Sequence, residues 1–155
     1  MVTYLAHVAS PVGIFSVEGD EHAVSALYLP HERRRASRGE APTAVARAVK
    51  ELREYLAGQR RRFSVTLAKT SATEFQRSVW STLQEIPYGS VMTYGEVAAA
   101  TGHPGAHRAV GNANHANPVP VLVPCHRVVA SNGLGGYGGG DEVKRFLLEL
   151  EGVAL

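Results

Sequence analysis

The 155-residue chain contains one cysteine, and that residue is the natural place to look for chemistry. Cys125 closes the proline-punctuated run Pro118-Val119-Pro120-Val121-Leu122-Val123-Pro124 and is followed directly by His126. A single cysteine makes neither an internal disulfide nor a cysteine-rich zinc site, so it is either an inert core thiol or a reactive one. An ordinary thiol is only a few per cent thiolate at neutral pH; a nucleophilic one needs a base, usually histidine, and often a carboxylate to orient that base. Neighbouring side chains in an extended strand point to opposite faces. Cooperation between Cys125 and His126 therefore needs a turn or a bridging water, and Pro124 disfavours a regular strand at that point. Glu151, far along the chain, is a candidate orienter. A lone cysteine is by itself more often a buried core residue, and the Cys-His pair leaves both readings open. His103 and His107 are four residues apart, but Pro104 breaks helical spacing, so no metal site is expected there. Arg33-Arg34-Arg35 and Arg60-Arg61-Arg62 read as solvated faces.

The surrounding pattern indicates what would position these groups. Val12–Val17 and Ala23–Leu29 have strand composition with loose alternation. The polar, arginine-rich stretch from His31 to Glu40 reads as a solvated loop. Thr43–Ala57 is helical, with Val45, Val49, Leu52 and Leu56 on one face and Gly58 as its stop. Arg62–Leu67 is a possible further strand, and Lys69–Ala72 a linker. A second unit opens with a helix over Thr73–Ile86, with Phe75, Val79, Leu83 and Ile86 inward, ended by Pro87-Tyr88-Gly89. Thr93 and Glu96 form a capping box for a short helix ending at Gly102. Pro104 suits the first turn of another helix, about His103–Ala116, which makes a helix-turn-helix-like pair. The second helix opens Gly105-Ala106-His107-Arg108-Ala109-Val110-Gly111, a small surface suited to tight helix packing or to close approach of a partner. Ser131-Asn132-Gly133 signals a turn. The glycine-rich stretch 133–140 is either a connector or a loop whose amides approach a ligand; it lacks the ending of a phosphate loop. A last helix starts near Asp141, buries Val143, Phe146, Leu147 and Leu150, and ends at Glu151-Gly152. The expected architecture is α/β: a support domain over residues 1–70 built of a sheet and a helix, then a mainly helical domain over 71–155 carrying the helix-turn-helix.

Composition sets the outer limits. With 45% apolar and 19% charged residues, this is ordinary globular material, and size scaling buries roughly 69% of the unfolded chain's surface without staples. No apolar run spans a bilayer. The start of the chain lacks a secretion-signal profile, and with one unpaired cysteine a reducing, cytoplasmic setting is expected. A net charge of +2 permits a nucleic-acid partner without requiring one.

The segment Pro118–Val129 closely resembles the active-site segment of the O6-alkylguanine-DNA alkyltransferases. The resemblance continues through Tyr88-Gly89, Tyr94, Arg108-Ala109-Val110-Gly111 and Asn117-Pro118 upstream, and through Asn132-Gly133, Tyr137, Gly139-Gly140, Lys144 and Glu151-Gly152 downstream. It covers essentially residues 73–152 and is weak over residues 1–70. It implies a direct-reversal repair protein that flips an alkylated guanine out of duplex DNA and takes the O6-alkyl group irreversibly onto Cys125. O4-alkylthymine is implied as a second substrate. On this resemblance His126 is the base, acting through a water; Glu151 holds its imidazole; Asn117 braces the turn; Tyr94 assists the leaving base and meets the DNA. Arg108 fills the gap left by the flipped nucleotide, and Ala109 and Gly111 belong to the recognition helix in the minor groove. Val128, Tyr137, Gly138 and Lys144 line the alkylguanine pocket. No cofactor, obligate protein partner or membrane is implied, and the protein is expected to be a monomer.

The chain also departs from the family pattern. It has no amino-terminal cysteine, so the structural zinc of some members is not expected. The loop before Tyr137 is one residue shorter than in some members, and Gly138 stands where others carry serine. Both bear on pocket width. The alternative is a non-catalytic binder of alkylated DNA that uses the same helices. The alkyltransferase-like proteins of that kind lack the acceptor cysteine, which Cys125 supplies here. A cysteine hydrolase fits poorly, because nothing suggests an acyl pocket.

Overall fold

A computed structural model describes residues 3–155; Met1 and Val2 lie outside the described residues. The chain divides after Thr70 into two compact units.

The amino-terminal unit is a three-stranded antiparallel sheet in the order β1 (Tyr4–Ser10), β2 (Gly13–Gly19), β3 (Val24–Tyr28), with helix α1 (Thr43–Leu56) packed on it. Leu5, Val8, Phe15, Val17, Val24 and Leu27 meet Val45, Ala48 and Leu52 in its core. β1 was not expected. Its sequence lacks clean alternation, yet it pairs with β2 from Tyr4↔Gly19 to Ser10↔Gly13. The inward face of α1 holds Ala48, Glu51 and Tyr55 beside Val45 and Leu52, whereas Val49 and Leu56 lie at its margins. Gly58, at φ +76°, ends the helix as expected. The possible strand over 62–67 reduces to one bridge, Val24 to Leu67. The segment is committed elsewhere: the buried Glu51 carboxylate accepts from Ser64 N (2.7 Å) and from its hydroxyl, and Phe63 packs on Tyr55 at 5.3 Å.

The carboxy-terminal unit contains α2 (Glu74–Glu85), β4 (Met92–Thr93), α3 (Tyr94–Ala100), α4 (His107–His115), a 3-10 turn (Cys125–Arg127), β5 (Val128–Val129) and α5 (Asp141–Leu150). β4 and β5 pair in parallel. Thr93 and Glu96 form the expected capping box, and Thr73 forms another with Gln76. Helix α4 starts four residues later than its sequence pattern suggests. Gly105 takes φ +87°, outside the helical region, and Ala106 N closes a turn on His103 O (3.0 Å), so Pro104 lies in the turn and not in the helix. α5 buries Lys144 and Leu148 together with Val143 and Leu147, while Phe146 and Leu150 are only half-buried. α3 and α4 pack on each other, and Trp80 Nε1 of α2 donates to Ala113 O of α4 at 2.9 Å. The fold is thus α/β, a small sheet-and-helix unit followed by a mainly helical one. No helix of the described residues is long and apolar enough to cross a membrane.

Candidate active site

The cysteine sits on a turn that its own sequence makes rigid. Pro118, Pro120 and Pro124 have no N–H to satisfy, so the run can bury without stranding donors. Asn117 supplies what the backbone lacks: its Nδ2 donates to Val123 O (2.9 Å) and its Oδ1 accepts from Val119 N (3.0 Å). Val121 takes φ +76°, the one positive φ among described non-glycine residues. This is a costly conformation for a β-branched side chain, held by the turn around it. Cys125 N then bonds to Val123 O (2.8 Å), Arg127 N to Pro124 O (3.0 Å), and the chain turns through Cys125–Arg127. The turn replaces the extended backbone that would have set the two side chains on opposite faces of a sheet.

Cys125 is 6% exposed. Burial pushes its thiol up from 9.0 to about 11, opposed by the Asn117 side chain and the Lys144 charge. The resting group is therefore the thiol, and reaction requires a base. His126 is fully buried, and its Nε2 lies 2.8 Å from Glu151 Oε2. Burial lowers the imidazole below its ordinary value against the pull of Glu151, with Arg127 and Lys144 lowering it further. The ring is thus neutral near neutral pH. A carboxylate only accepts, so Nε2 carries the proton and Nδ1 is the basic nitrogen; the partners assign this tautomer.

Glu151 caps the C-terminus of α5 and does more than orient histidine. Arg127 Nε donates to its Oε1 (2.8 Å), Arg127 Nη2 to its Oε2 (3.0 Å), and Arg127 Nη1 to Ile86 O at the end of α2 (2.8 Å). Tyr88 Oη donates to Leu150 O at 3.2 Å. One buried fork therefore ties the end of α2, the cysteine turn and the end of α5 together. Bidentate guanidinium–carboxylate pairs have this geometric specificity. Sequence reasoning missed Arg127, whose only signal was its place directly after Cys125-His126.

The other wall comes from α3, the glycine-rich loop and α5. Tyr94 opens α3, and its hydroxyl donates to Gly136 O (3.1 Å). Lys144 is fully buried; its Nζ donates to Val128 O (2.6 Å) and Gly136 O (3.1 Å) and lies 5.9 Å from the Tyr94 ring centre. Burial pulls this ammonium down to about 8, against the influence of Cys125 and Asp141. Burial raises Tyr94 above its ordinary value, and it raises Tyr137 well above, with Cys125 adding to each. Both phenols are therefore protonated donors. Tyr137 Oη is buried with no hydrogen-bond partner. The loop is not a slack connector, because its Gly136 carbonyl anchors two site side chains. Gly135 has to be glycine: it has φ +79°, and a Cβ there would fall 2.9 Å from Tyr94 Cε2 and 3.0 Å from Ala130 N. Gly135→Ala should shift Tyr94, slow the chemistry of the site at least about tenfold and cost about 1–3 kcal/mol, read from single-turnover rates and urea midpoints. An unchanged rate would show that Tyr94 is not held by this contact. A Cβ on Gly138 would make ordinary contact, 3.8 Å, with His115 Nδ1, so glycine leaves open a space that serine would fill.

Cys125, His126, Glu151, Asn117, Tyr94, Tyr137, Lys144 and the buried Val128 thus form one cluster. Arg108 and Ala109 do not join it. They are exposed on α4, whose Val110 and Ala113 face inward, while Gly111 turns toward the Tyr94 ring (4.0 Å from its ideal Cβ). Among the described residues no group of three metal-ligating side chains occurs; His103 packs edge-on against Phe75 instead.

The buried thiol also carries a test. At pH 8, native Cys125 should react with iodoacetamide on the order of a hundredfold more slowly than in the unfolded chain, since its thiolate fraction is that much smaller. Equal rates would contradict the elevated thiol.

Comparison with known proteins adds independent findings. Residues 74–153 match the family described as 6-O-methylguanine DNA methyltransferase, DNA binding domain. The chain is 44% identical over 154 residues to the methylated-DNA–protein-cysteine methyltransferase of Methanosarcina acetivorans, covering 96% of this chain and 98% of that protein. It is 38% identical over 163 residues to the constitutive protein of that name from Bacillus subtilis, covering 99% and 98%. The crystal structure of Mycobacterium tuberculosis O6-methylguanine methyltransferase superposes with a TM-score of 0.84 at 42% identity, covering 97% of this chain and 93% of that one. A structure of the M. tuberculosis protein in complex with DNA superposes with the same score, covering 95% and 91%.

Proposed function

The chain belongs to the methylated-DNA–protein-cysteine methyltransferase family, and from that premise we propose that it repairs DNA by moving the O6-alkyl group of guanine onto Cys125, once per molecule. The observation that carries this reading is the buried thiol beside a histidine–carboxylate pair (Nε2···Oε2 2.8 Å), facing protonated donors. The protein binds DNA, and its partner in this reading is duplex DNA containing alkylated bases, met by α4 in the minor groove. Arg108 stands at the exposed start of α4, where a planar guanidinium stacks into the gap left by an extruded nucleotide. Extrusion costs a few kcal/mol, least for a weakly paired damaged base. The same pocket takes O4-alkylthymine as a second substrate. A free thiol as the reacting group suits a reducing compartment, so the reading puts the protein in the cytoplasm, acting as a monomer.

The chemistry follows from the proton balance. A thiol held near 11 is a poor nucleophile, so its proton passes through a water to His126 Nδ1 as the base docks. Glu151 stabilises the imidazolium by accepting from Nε2–H. The sulfur attacks the alkyl carbon, the C–S bond forms, the C–O6 bond breaks, and its electron pair stays on the guanine. Tyr94 turns its hydroxyl proton from Gly136 O toward that base, so the leaving group departs without full charge. Lys144 holds the loop carbonyl of Gly136 and its positive charge favours the thiolate. The product is a thioether with no leaving group, which is why no second turnover follows.

Stoichiometry tests the reading. With duplex O6-methylguanine in excess, methyl transfer should stop at one equivalent per protein. Continued turnover would overturn it. Arg108→Ala should lower the rate on duplex DNA by about tenfold or more while leaving reaction with free O6-benzylguanine unchanged; equal losses on both would remove Arg108 from the extrusion step.

A further inference from the structure

The two units carry opposite charge. Residues up to Thr70 hold eleven Lys/Arg against seven Asp/Glu, a balance of +4; residues from Ser71 hold five against seven, a balance of −2. Of those five cations, Arg127 and Lys144 are buried in the active site. The unit that carries the recognition helix is therefore poor in surface charge for holding a polyanion. The cations lie in the other unit, and several are displayed with care. Arg33, Arg35 and Arg38 are exposed in the segment after β3. That segment is tied to the edge of β1: Ser37 N donates to Leu5 O (2.8 Å), Leu5 N to Ser37 Oγ (2.9 Å), His7 Nε2 to Arg34 O (2.6 Å) and Tyr4 Oη to Gly39 O (2.7 Å). Arg34, also exposed, is engaged within the unit, its guanidinium 4.0 Å from the Tyr28 ring centre and 3.9 Å from the Glu32 carboxylate.

Covering a sheet edge explains the hydrogen bonds but not the arginines, since the tie is made by Ser37, His7, Tyr4 and backbone groups. A cationic loop ordered before binding gives up little entropy when it meets an anion. We propose that Arg33, Arg35 and Arg38 form a second surface for the DNA backbone, contacting phosphates without reading sequence. This rests on the assignment of DNA as the partner but concerns a surface outside the alkyl-transfer site. Its effect is on affinity and encounter with undamaged DNA, where sequence-independent phosphate contacts dominate.

The test is the salt dependence of binding to undamaged duplex, with the intact chain, comparing the R33Q/R35Q/R38Q triple variant with R33K/R35K/R38K. Each lost phosphate contact should reduce the slope of log affinity against log salt by about 0.9. The glutamine variant should lose about 2 to 3 from the slope and bind at least about tenfold more weakly at low salt, while the lysine variant stays near the parent. Reaction with free O6-benzylguanine should be unchanged in both, showing an intact fold and site. An unchanged slope in the glutamine variant would overturn the proposal. So would an unchanged slope with loss of cooperativity between bound copies, which would assign the loop to a second copy of the chain. Failure of the parent protein to accept a methyl group would instead overturn the repair reading, and the slope comparison would still decide the role of the loop.

Discussion

Cys125→Ser should abolish alkyl transfer and leave binding to O6-methylguanine duplex within about threefold of the parent protein. The nucleophile is a thiolate, and a serine hydroxyl in the same turn meets a histidine too weak to ionise it, because burial has already lowered the imidazole. Losing a nucleophile from a catalytic unit costs at least about 10⁴-fold. The substitution is small, and the turn is fixed by Asn117 and by backbone hydrogen bonds instead of by sulfur, so affinity should survive. Single-turnover kinetics and fluorescence anisotropy separate the two quantities. Residual transfer within a hundredfold would mean that another residue accepts the alkyl group.

Glu151→Gln should damage both stability and rate, and for different reasons. The buried carboxylate accepts from His126 Nε2, from two nitrogens of Arg127 and from Gly89 N. A carboxamide keeps the shape but presents one oxygen to four donors and leaves the Arg127 charge uncompensated. Breaking one side of a buried ion pair costs about 3–5 kcal/mol, a large share of the stability of an ordinary domain. The same change removes the acceptor that fixes the histidine tautomer, worth about 10²–10⁴-fold where proton transfer matters. Urea unfolding reads the first effect; the transfer rate on free O6-benzylguanine, at a temperature where the variant is folded, reads the second. A stable variant would show that Arg127 finds another partner, and full activity would show that His126 needs no orienter.

Much of the fold could be read from local rules, and its failures have physical causes. Thr93-Tyr94-Gly95-Glu96 announces a helix start because both halves of the capping box are in the sequence. Gly58 and the inward positions Val79 and Leu83 were legible in the same way. Tyr4–Ser10 was not, because its burial spacing, with Leu5 and Val8 inward, does not alternate and the strand is fixed by its partner β2. His103–Ala106 looks helical from Pro104, yet the positive φ of Gly105 keeps it a separate turn ahead of the helix. In the site, Cys125, His126 and Asn117 were visible as a local run. How they act together was not, since it depends on contacts across 24 or more residues: Arg127 to Glu151, Arg127 to Ile86, Tyr94 to Gly136. Carbonyl oxygens such as those of Gly136 and Val128 leave no trace in residue identity, although they anchor Tyr94 and Lys144.

The most direct test of the central claim is the mass of the Cys125 peptide after incubation with duplex DNA containing O6-methylguanine. That peptide should gain the mass of one CH2 group, in proportion to guanine restored in the DNA, with every other peptide unchanged. Restored guanine with an unmodified Cys125, or a methyl group found on another residue, would contradict it.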